Sequence, residues 1–193
     1  MSEILTNIQE ALSKRATDQS RNEEAVEAAV AAILRTKNGE LELLLIHRSQ
    51  RNGDPWSGHL AFPGGRIERC DDSARQAAER ETLEEIGISL EKGTYLGALQ
   101  TLTGLTLPVS VSAFAYHIER PVSFEFSDEV QSAHWIPFKH LTAPEQQTKY
   151  THQKSNQRFE AIDVLGPDKP LLWGITYRFT QELLSHRNAQ SAS

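Results

Sequence analysis
The chain of 193 residues holds a single cysteine, Cys70. That excludes an intrachain disulfide and a zinc site built from several cysteines. It makes a cytosolic address the default expectation, since disulfide chemistry belongs to oxidising compartments. No apolar run approaches the roughly 18 residues that a helical membrane span needs, and the first residues carry no signal-peptide hydrophobic region. Internal repeats and low-complexity tracts are missing as well. So is a basic excess: 20 Lys and Arg stand against 26 Asp and Glu, a formal net charge of −6. A nucleic-acid backbone is therefore not expected as the main partner, because its recognition needs a basic face. What remains, 38% hydrophobic and 24% charged residues, is the composition of an ordinary soluble globular protein. The length fits one domain with terminal additions.

The pattern along the chain predicts alternating helices and strands. Ile4, Leu5, Ile8 and Leu12 form an apolar stripe at helical spacing over residues 3–15. We read it as a helix docked on the domain rather than one lying on a membrane or a partner. Residues 17–22 are polar and read as a linker. A strand over 25–34 and its return over 41–46 flank Lys37-Asn38-Gly39-Glu40, a strong hairpin signal. A polar loop over 48–57 leads to the glycine pair Gly64-Gly65. Asp71, Asp72 or Ser73 can cap a helix over 73–86, with Gly87 as its stop. Further strands are expected within 90–102, over 109–118 and over 133–138, the last stopped by proline. Residues 142–158 are polar and poorly patterned and read as a long loop with room for one helical turn. Ile175, Phe179, Leu183 and Leu184 give residues 175–186 an apolar helical face. This interleaving fits an α/β/α sandwich, with residues 1–22 as an N-terminal helix and linker and 23–193 as the domain proper.

Three glutamates, Glu81, Glu84 and Glu85, fall near the end of the 73–86 helix. Successive helical residues step about 100°, so positions i, i+3 and i+4 lie within one turn on one side. Uncompensated, such crowding is unfavourable, and a cation is the simplest compensation. Hard divalent ions such as Mg²⁺ take carboxylate oxygens and fill the remaining positions with water and substrate phosphates. Ala74, Ala77 and Ala78 lie on the same side one and two turns earlier. Small residues there let the helix approach a sheet closely.

The stretch Arg80-Glu81-Thr82-Leu83-Glu84-Glu85-Ile86-Gly87-Ile88 closely resembles the second half of the Nudix hydrolase signature, with Thr82 in place of the usual aliphatic residue. Asp72 falls at the acidic position before the helix, and Gly65 lies one residue further upstream than in the commonest form. That extra residue resembles the coenzyme A diphosphatase-like subgroup. So do Leu43-Leu44-Leu45-Ile46-His47-Arg48-Ser49, Gly58-His59-Leu60-Ala61-Phe62-Pro63-Gly64-Gly65 and Trp173-Gly174-Ile175-Thr176.

The resemblance implies an α/β Nudix-type α/β/α sandwich with a central mixed β-sheet. It also implies hydrolysis of a diphosphate linkage, dependent on Mg²⁺ or Mn²⁺. The ligands it implies are Glu85, Glu81 and Glu84, with the Gly65 carbonyl beside them. The general base is Glu81, Glu84 or Glu129 in this reading. Arg80 either contacts phosphate or pairs with a carboxylate of the signature, and Asp72 caps the helix or anchors the loop. Glu68 is either an outer ligand or a solvated carboxylate. Arg48, Arg51 and His59 are candidates for substrate contact, the arginines because the 3′-phosphate of coenzyme A calls for basic side chains. Trp173 is read as core in preference to a stacking platform. The expected partner is a small nucleotide-type diphosphate, and pairing into a homodimer is a family habit. Two other readings stand beside coenzyme A: a Nudix hydrolase of nucleoside triphosphates, nucleotide sugars or dinucleotides, and a catalytically silent binding module of the same fold.

Overall fold
The computed structural model describes residues 3–13, 26–104, 108–120, 122–153 and 155–187. The expected linker over 17–22 lies outside them. Helix α1 (Glu3–Ser13) precedes the hairpin of β1 (Val26–Lys37) and β2 (Glu40–Arg48). Short strands β3 (Leu60–Ala61) and β4 (Gly64–Arg66) lead into α2 (Ala74–Ile86). Next come β5 (Thr94–Ala98), β6 (Leu102–Thr103), β7 (Val109–Ile118) and β8 (Val130–Pro137). The last elements are α3 (Phe138–Thr142), β9 (Gln147–Thr151), β10 (Arg158–Ile162), β11 (Leu172–Trp173) and α4 (Gly174–Ser185).

Asn38 and Gly39 both take positive φ, 52° and 80°, the turn that matches the twist of a two-residue hairpin. Around this hairpin an eight-stranded sheet runs β3-β2-β1-β7-β5, with β4 added to β1, β6 to β7 and β8 to β2. The β1–β7 pair is parallel and the other pairs are antiparallel, so the sheet is mixed. Both faces are covered, which is why β1 reads as an almost unbroken apolar run. Ala29, Ala31 and Ile33 pack with Ala77, Ala78 and Ile86 of α2 on one face. On the other face Ala32 and Leu34 join a core with Leu5, Ile8 and Leu12 of α1, Phe138 of α3 and Phe179, Leu183 and Leu184 of α4. The α/β/α sandwich follows directly.

Two expectations need correction. Residues 142–158 are not a loop: they hold a 3₁₀ turn at Pro144–Gln146, then β9, and reach the start of β10. With β11 these strands form a separate three-stranded antiparallel sheet. Every residue of β9 is at least partly exposed, so no apolar alternation marked the strand. The strand expected within 90–102 is present: a 3₁₀ turn at Leu90–Lys92 leads into β5 and then β6, with a register shift between Tyr95 and Gly97. Strand β8 begins at Val130, three residues before its expected start.

Helix α1 is part of the main core, since Leu5, Ile8 and Leu12 are all fully or almost fully buried. Ile8→Ala is expected to lower unfolding free energy by about 2–4 kcal/mol, the cost of a core cavity. Urea denaturation measures this, and a change below about 0.5 kcal/mol would show that α1 is not docked.

Candidate active site
Helix α2 is built to present its far end. Ser73 is its N-cap, in extended conformation with Oγ accepting the Gln76 N–H. Gly87 closes it in the left-handed region (φ 73°), donating its N–H to the Leu83 carbonyl. Ala77 and Ala78 allow close approach to β1. Thr82, where the resemblance leads one to expect an aliphatic side chain, is buried without an orphaned polar group: its hydroxyl donates to the Ala78 carbonyl at 2.7 Å.

The three glutamates take different environments. Glu85 is 3% exposed. Its Oε2 accepts the Gly64 N–H at 2.8 Å and its Oε1 accepts from Arg48 Nη1 at 3.2 Å. Gly64 sits at φ 146°, and a Cβ there would drive into the Ala29 carbonyl, so only glycine brings this N–H to Glu85. Burial pushes the Glu85 carboxyl up to about 7, against the opposing pull of the Gly64 N–H and Arg48. Glu81 is partly buried, and burial also raises it above the usual carboxylate range. A Cβ on Gly65 would lie within 2.6 Å of the Glu81 carboxylate, so this backbone is pressed against that group. Glu84 turns outward, its side chain 58% exposed.

Two arginines bind the carboxylates together. Arg80 grips Asp71 through Nε and Nη2 at 2.9 and 3.0 Å. Its Nη1 donates to Glu81 at 2.9 Å and to Glu84 at 3.2 Å, and its Nη2 donates to the Arg66 carbonyl. Hydrogen bonding to Arg80 is the main reason the Asp71 carboxyl is held below its ordinary range. Of the two expectations for Arg80, the carboxylate pairing is the one present. The acidic partner before the helix is Asp71, not Asp72. Asp71 is 8% exposed and also accepts the Glu68 N–H, whereas Asp72 is exposed and its N–H donates to Gln76 Oε1. Ser73, not Asp72, caps the helix. Glu68 is exposed on this loop.

Arg48, at the end of β2, is the second clasp. Besides Glu85 it reaches Asp54 at 3.1 Å and Glu129 at 3.7 Å, and its buried Nε has no partner among the described residues. Glu129 is carried here by the segment behind α2: the Glu125 and Ser127 N–H groups donate to the Ile86 and Glu85 carbonyls, and Ser49 N–H donates to the Glu129 carbonyl. These bonds also satisfy carbonyls left open at the helix end. Arg51 pairs with Asp128 at 2.7 Å and Glu129 at 3.0 Å at the rim. His59 is not in this cluster. Its ring lies edge-on to Trp173 at 5.1 Å, and burial lowers its pKa. Trp173 is partly exposed rather than core. Sequence reasoning missed Asp71 and Asp54; only the turn-forming Asn52-Gly53-Asp54-Pro55 hinted at the latter.

The ion pairs thus join seven carboxylates to three guanidiniums. No group of three carboxylate, imidazole or thiol side chains among the described residues is already arranged around a cation position. The physical reason is that Arg48 and Arg80 hold the glutamates. The donor set nevertheless fits a hard divalent cation: it is all oxygen, crowded, and negative in excess. Glu85, Glu81, Glu84, Glu129 and the Gly65 carbonyl are the groups that could hold one.

Comparison with known proteins follows the same line. The family model described as NUDIX domain matches residues 26–159. A probable nudix hydrolase of Schizosaccharomyces pombe is 34% identical over 140 residues, 69% of this chain and 46% of its own. The mitochondrial coenzyme A diphosphatase NUDT8 of Mus musculus is 30% identical over 176 residues, 86% of this chain and 80% of its own. The crystal structure of a MutT/nudix family protein from Enterococcus faecalis superposes with a TM-score of 0.55 at 17% identity, covering 96% of this chain and 73% of that one. The chain spans 35% and 46% of the length of the two Schizosaccharomyces pombe relatives it matches.

Removing Arg80 leaves buried Asp71 unpaired. Arg80→Ala is expected to cost about 3 kcal/mol in urea unfolding, with Arg80→Lys recovering only part because an ammonium lacks the two-pronged geometry. Asp72→Ala should fall within about 0.5 kcal/mol of the parent; equal losses at Asp71 and Asp72 would contradict the assignment.

Proposed function
The chain belongs to the NUDIX domain family, and from that premise we propose that it is a hydrolase that cleaves the diphosphate of coenzyme A or a related nucleoside diphosphate derivative with the help of Mg²⁺ or Mn²⁺. The observation that carries the site assignment is Glu85, a buried carboxylate raised to about 7 and facing Arg48, with Glu81 and Glu129 near enough to raise it further. A group so perturbed, beside others of like charge, is a functional-site signature. The family resemblance of residues 43–49, 58–65 and 173–176, and the likeness to a coenzyme A diphosphatase over most of both chains, support the substrate class.

A diphosphate repels an attacking oxygen because it is itself multiply negative. A divalent cation, when bound, neutralises that charge and orients the phosphates. In this reading Glu85, Glu84 and the Gly65 carbonyl hold the cation and Glu81 takes the proton of the attacking water. Burial suits Glu81 to that part, since it raises the proton affinity of the carboxylate. The water oxygen bonds to phosphorus, the bridging P–O bond breaks, and the leaving phosphate carries away the electron pair. Arg80 fixes Glu81 and Glu84 on one guanidinium and, through Asp71 and the Arg66 carbonyl, keeps helix and loop in register. Arg51 stands 38% exposed at the rim and binds carboxylates that are themselves solvated, an arrangement that costs little to exchange for a substrate phosphate.

The substrate is tested by incubating the protein and Mg²⁺ or Mn²⁺ with coenzyme A, dephospho-coenzyme A, ADP-ribose, dinucleotides and nucleoside triphosphates. Release of 4′-phosphopantetheine and adenosine 3′,5′-bisphosphate is the expected result. Preference for another compound would move the substrate within the family, and no turnover at all would favour a silent binding module.

Glu85 also sets a pH dependence. A proton and a cation compete for the same oxygens, so affinity for Mn²⁺ should be full above pH 7. Below pH 7 it should weaken toward about tenfold per pH unit. Calorimetry at pH 6 to 8 reads this directly, and Glu85→Gln should abolish both the binding and its pH slope. Full divalent-dependent hydrolysis by Glu85→Gln would falsify the role.

A further inference from the structure
Four rings gather around Trp173, and none of the five belongs to the buried core. Tyr150 stacks on the indole with centroids 4.0 Å apart at 21°. His59 meets it edge-on at 5.1 Å, Phe159 lies at 5.5 Å and His152 at 5.9 Å. The register of the small sheet explains the gathering. Tyr150 lies opposite Phe159 and Trp173 opposite Ala161, so their side chains share one face. Ile162 and Leu172 point to the other face and are fully buried in the main core. Ala161 on the aromatic face is buried as well, but all five rings stay partly exposed. A sheet that only needed to cover the core has no use for a second apolar face. A cluster of partly exposed rings of this kind marks a binding surface.

Its position selects the occupant. His59 begins β3's approach to β2: its carbonyl accepts the Arg48 N–H at 3.0 Å, and Leu60 pairs with His47. Arg48 in turn holds Glu85. The aromatic face thus continues from the carboxylate cluster across a single backbone hydrogen bond. We propose that this face is the nucleobase subsite, where Tyr150, Trp173 and Phe159 stack the purine of the substrate while its diphosphate lies at the carboxylates. This rests on the reading of the chain as a hydrolase of nucleoside diphosphate derivatives and names which end of such a molecule it grips. Stacking suits a purine because both its faces are apolar π surfaces, and it operates without sequence of hydrogen-bond partners.

The test needs no hydrolysis. Adenosine 5′-monophosphate is titrated into the protein without divalent ion, and tryptophan fluorescence is followed. Saturable quenching is expected, and ribose 5-phosphate, which lacks the base, should give none. Tyr150→Leu keeps apolar bulk but loses the ring and should weaken binding about tenfold, in line with the usual contribution of one stacked base. Tyr150→Phe should stay within about twofold. Trp173→Phe should bind but lose most of the quenching, because Trp173 is the one tryptophan in the ring cluster while Trp56 and Trp135 remain. Equal quenching by ribose 5-phosphate, unchanged affinity in Tyr150→Leu, or undiminished quenching in Trp173→Phe overturns the subsite. The substrate panel stands apart: a protein that hydrolyses diphosphates yet shows none of these effects loses the subsite alone. One that binds the nucleotide on this face yet hydrolyses nothing loses the hydrolytic reading alone.

Discussion
Glu85 is a charge placed where charge is expensive, and the surrounding structure is arranged to make that placement tolerable. Moving a carboxylate out of water costs several kcal/mol even after relaxation. The compensation comes from three directions: the Gly64 N–H, the Arg48 guanidinium and the shallow side of α2, where Ala77 and Ala78 bring the helix onto β1. Gly64 must be glycine because its Cβ would strike the Ala29 carbonyl. Strand β4 pairs with β1 through Gly64, Gly65 and Arg66, so the donor is fixed by the same sheet against which the helix packs. Compensation is incomplete, since burial still wins and holds the carboxyl near 7.

Glu85 and Asp71 therefore act on stability in opposite senses. The Glu85 carboxyl is raised, so between the ordinary carboxylate range and about pH 7 the folded protein keeps a proton that the unfolded chain has released. Stability falls as pH rises through that window. The Asp71 carboxyl is lowered, so its contribution is complete above the ordinary range and is lost as pH falls through its depressed value. Asp71 with Arg80 behaves as a structural clasp, while Glu85 with Arg48 is a pair in which burial outweighs the pairing. A buried ion pair is weak evidence of stability by itself. The sign of each shift separates the two cases.

Local chemistry was legible in the sequence and distant partnership was not. The hairpin at Asn38-Gly39 and the helix stop at Gly87 are dictated by residues that tolerate positive φ, and both appear where expected. The glutamates at 81, 84 and 85 announced a cluster through helical spacing alone, but spacing did not show that Glu84 would face solvent. Neither could counting decide between Asp71 and Asp72: a loop of one residue more or less turns a different carboxylate inward. Strand β9 was hidden because neither of its faces is buried, so it lacks the apolar alternation that marks a half-buried strand. Asp54 and the rings around Trp173 depend on register between elements far apart in the chain. No pattern within one segment could reveal them.

The loop over residues 48–59 ties these parts into one device. Its first residue, Arg48, pairs with Glu85; Asp54 accepts from Arg48 and from the Trp56 N–H; its last, His59, packs on Trp173. Ser49 and Arg51 meanwhile hold Glu129, through its carbonyl and its carboxylate. Arg48 is the only one of these side chains in contact with Glu85, Asp54 and Glu129 at once. Any change in the charge at Glu85 must alter the balance at the other two carboxylates, because all three share one guanidinium. The loop is thus coupled to the carboxylate cluster by electrostatics at one end and to the aromatic sheet by packing at the other. A ligand with a charged diphosphate and a flat base would engage both ends, and the chain places them next to each other with a single strand between.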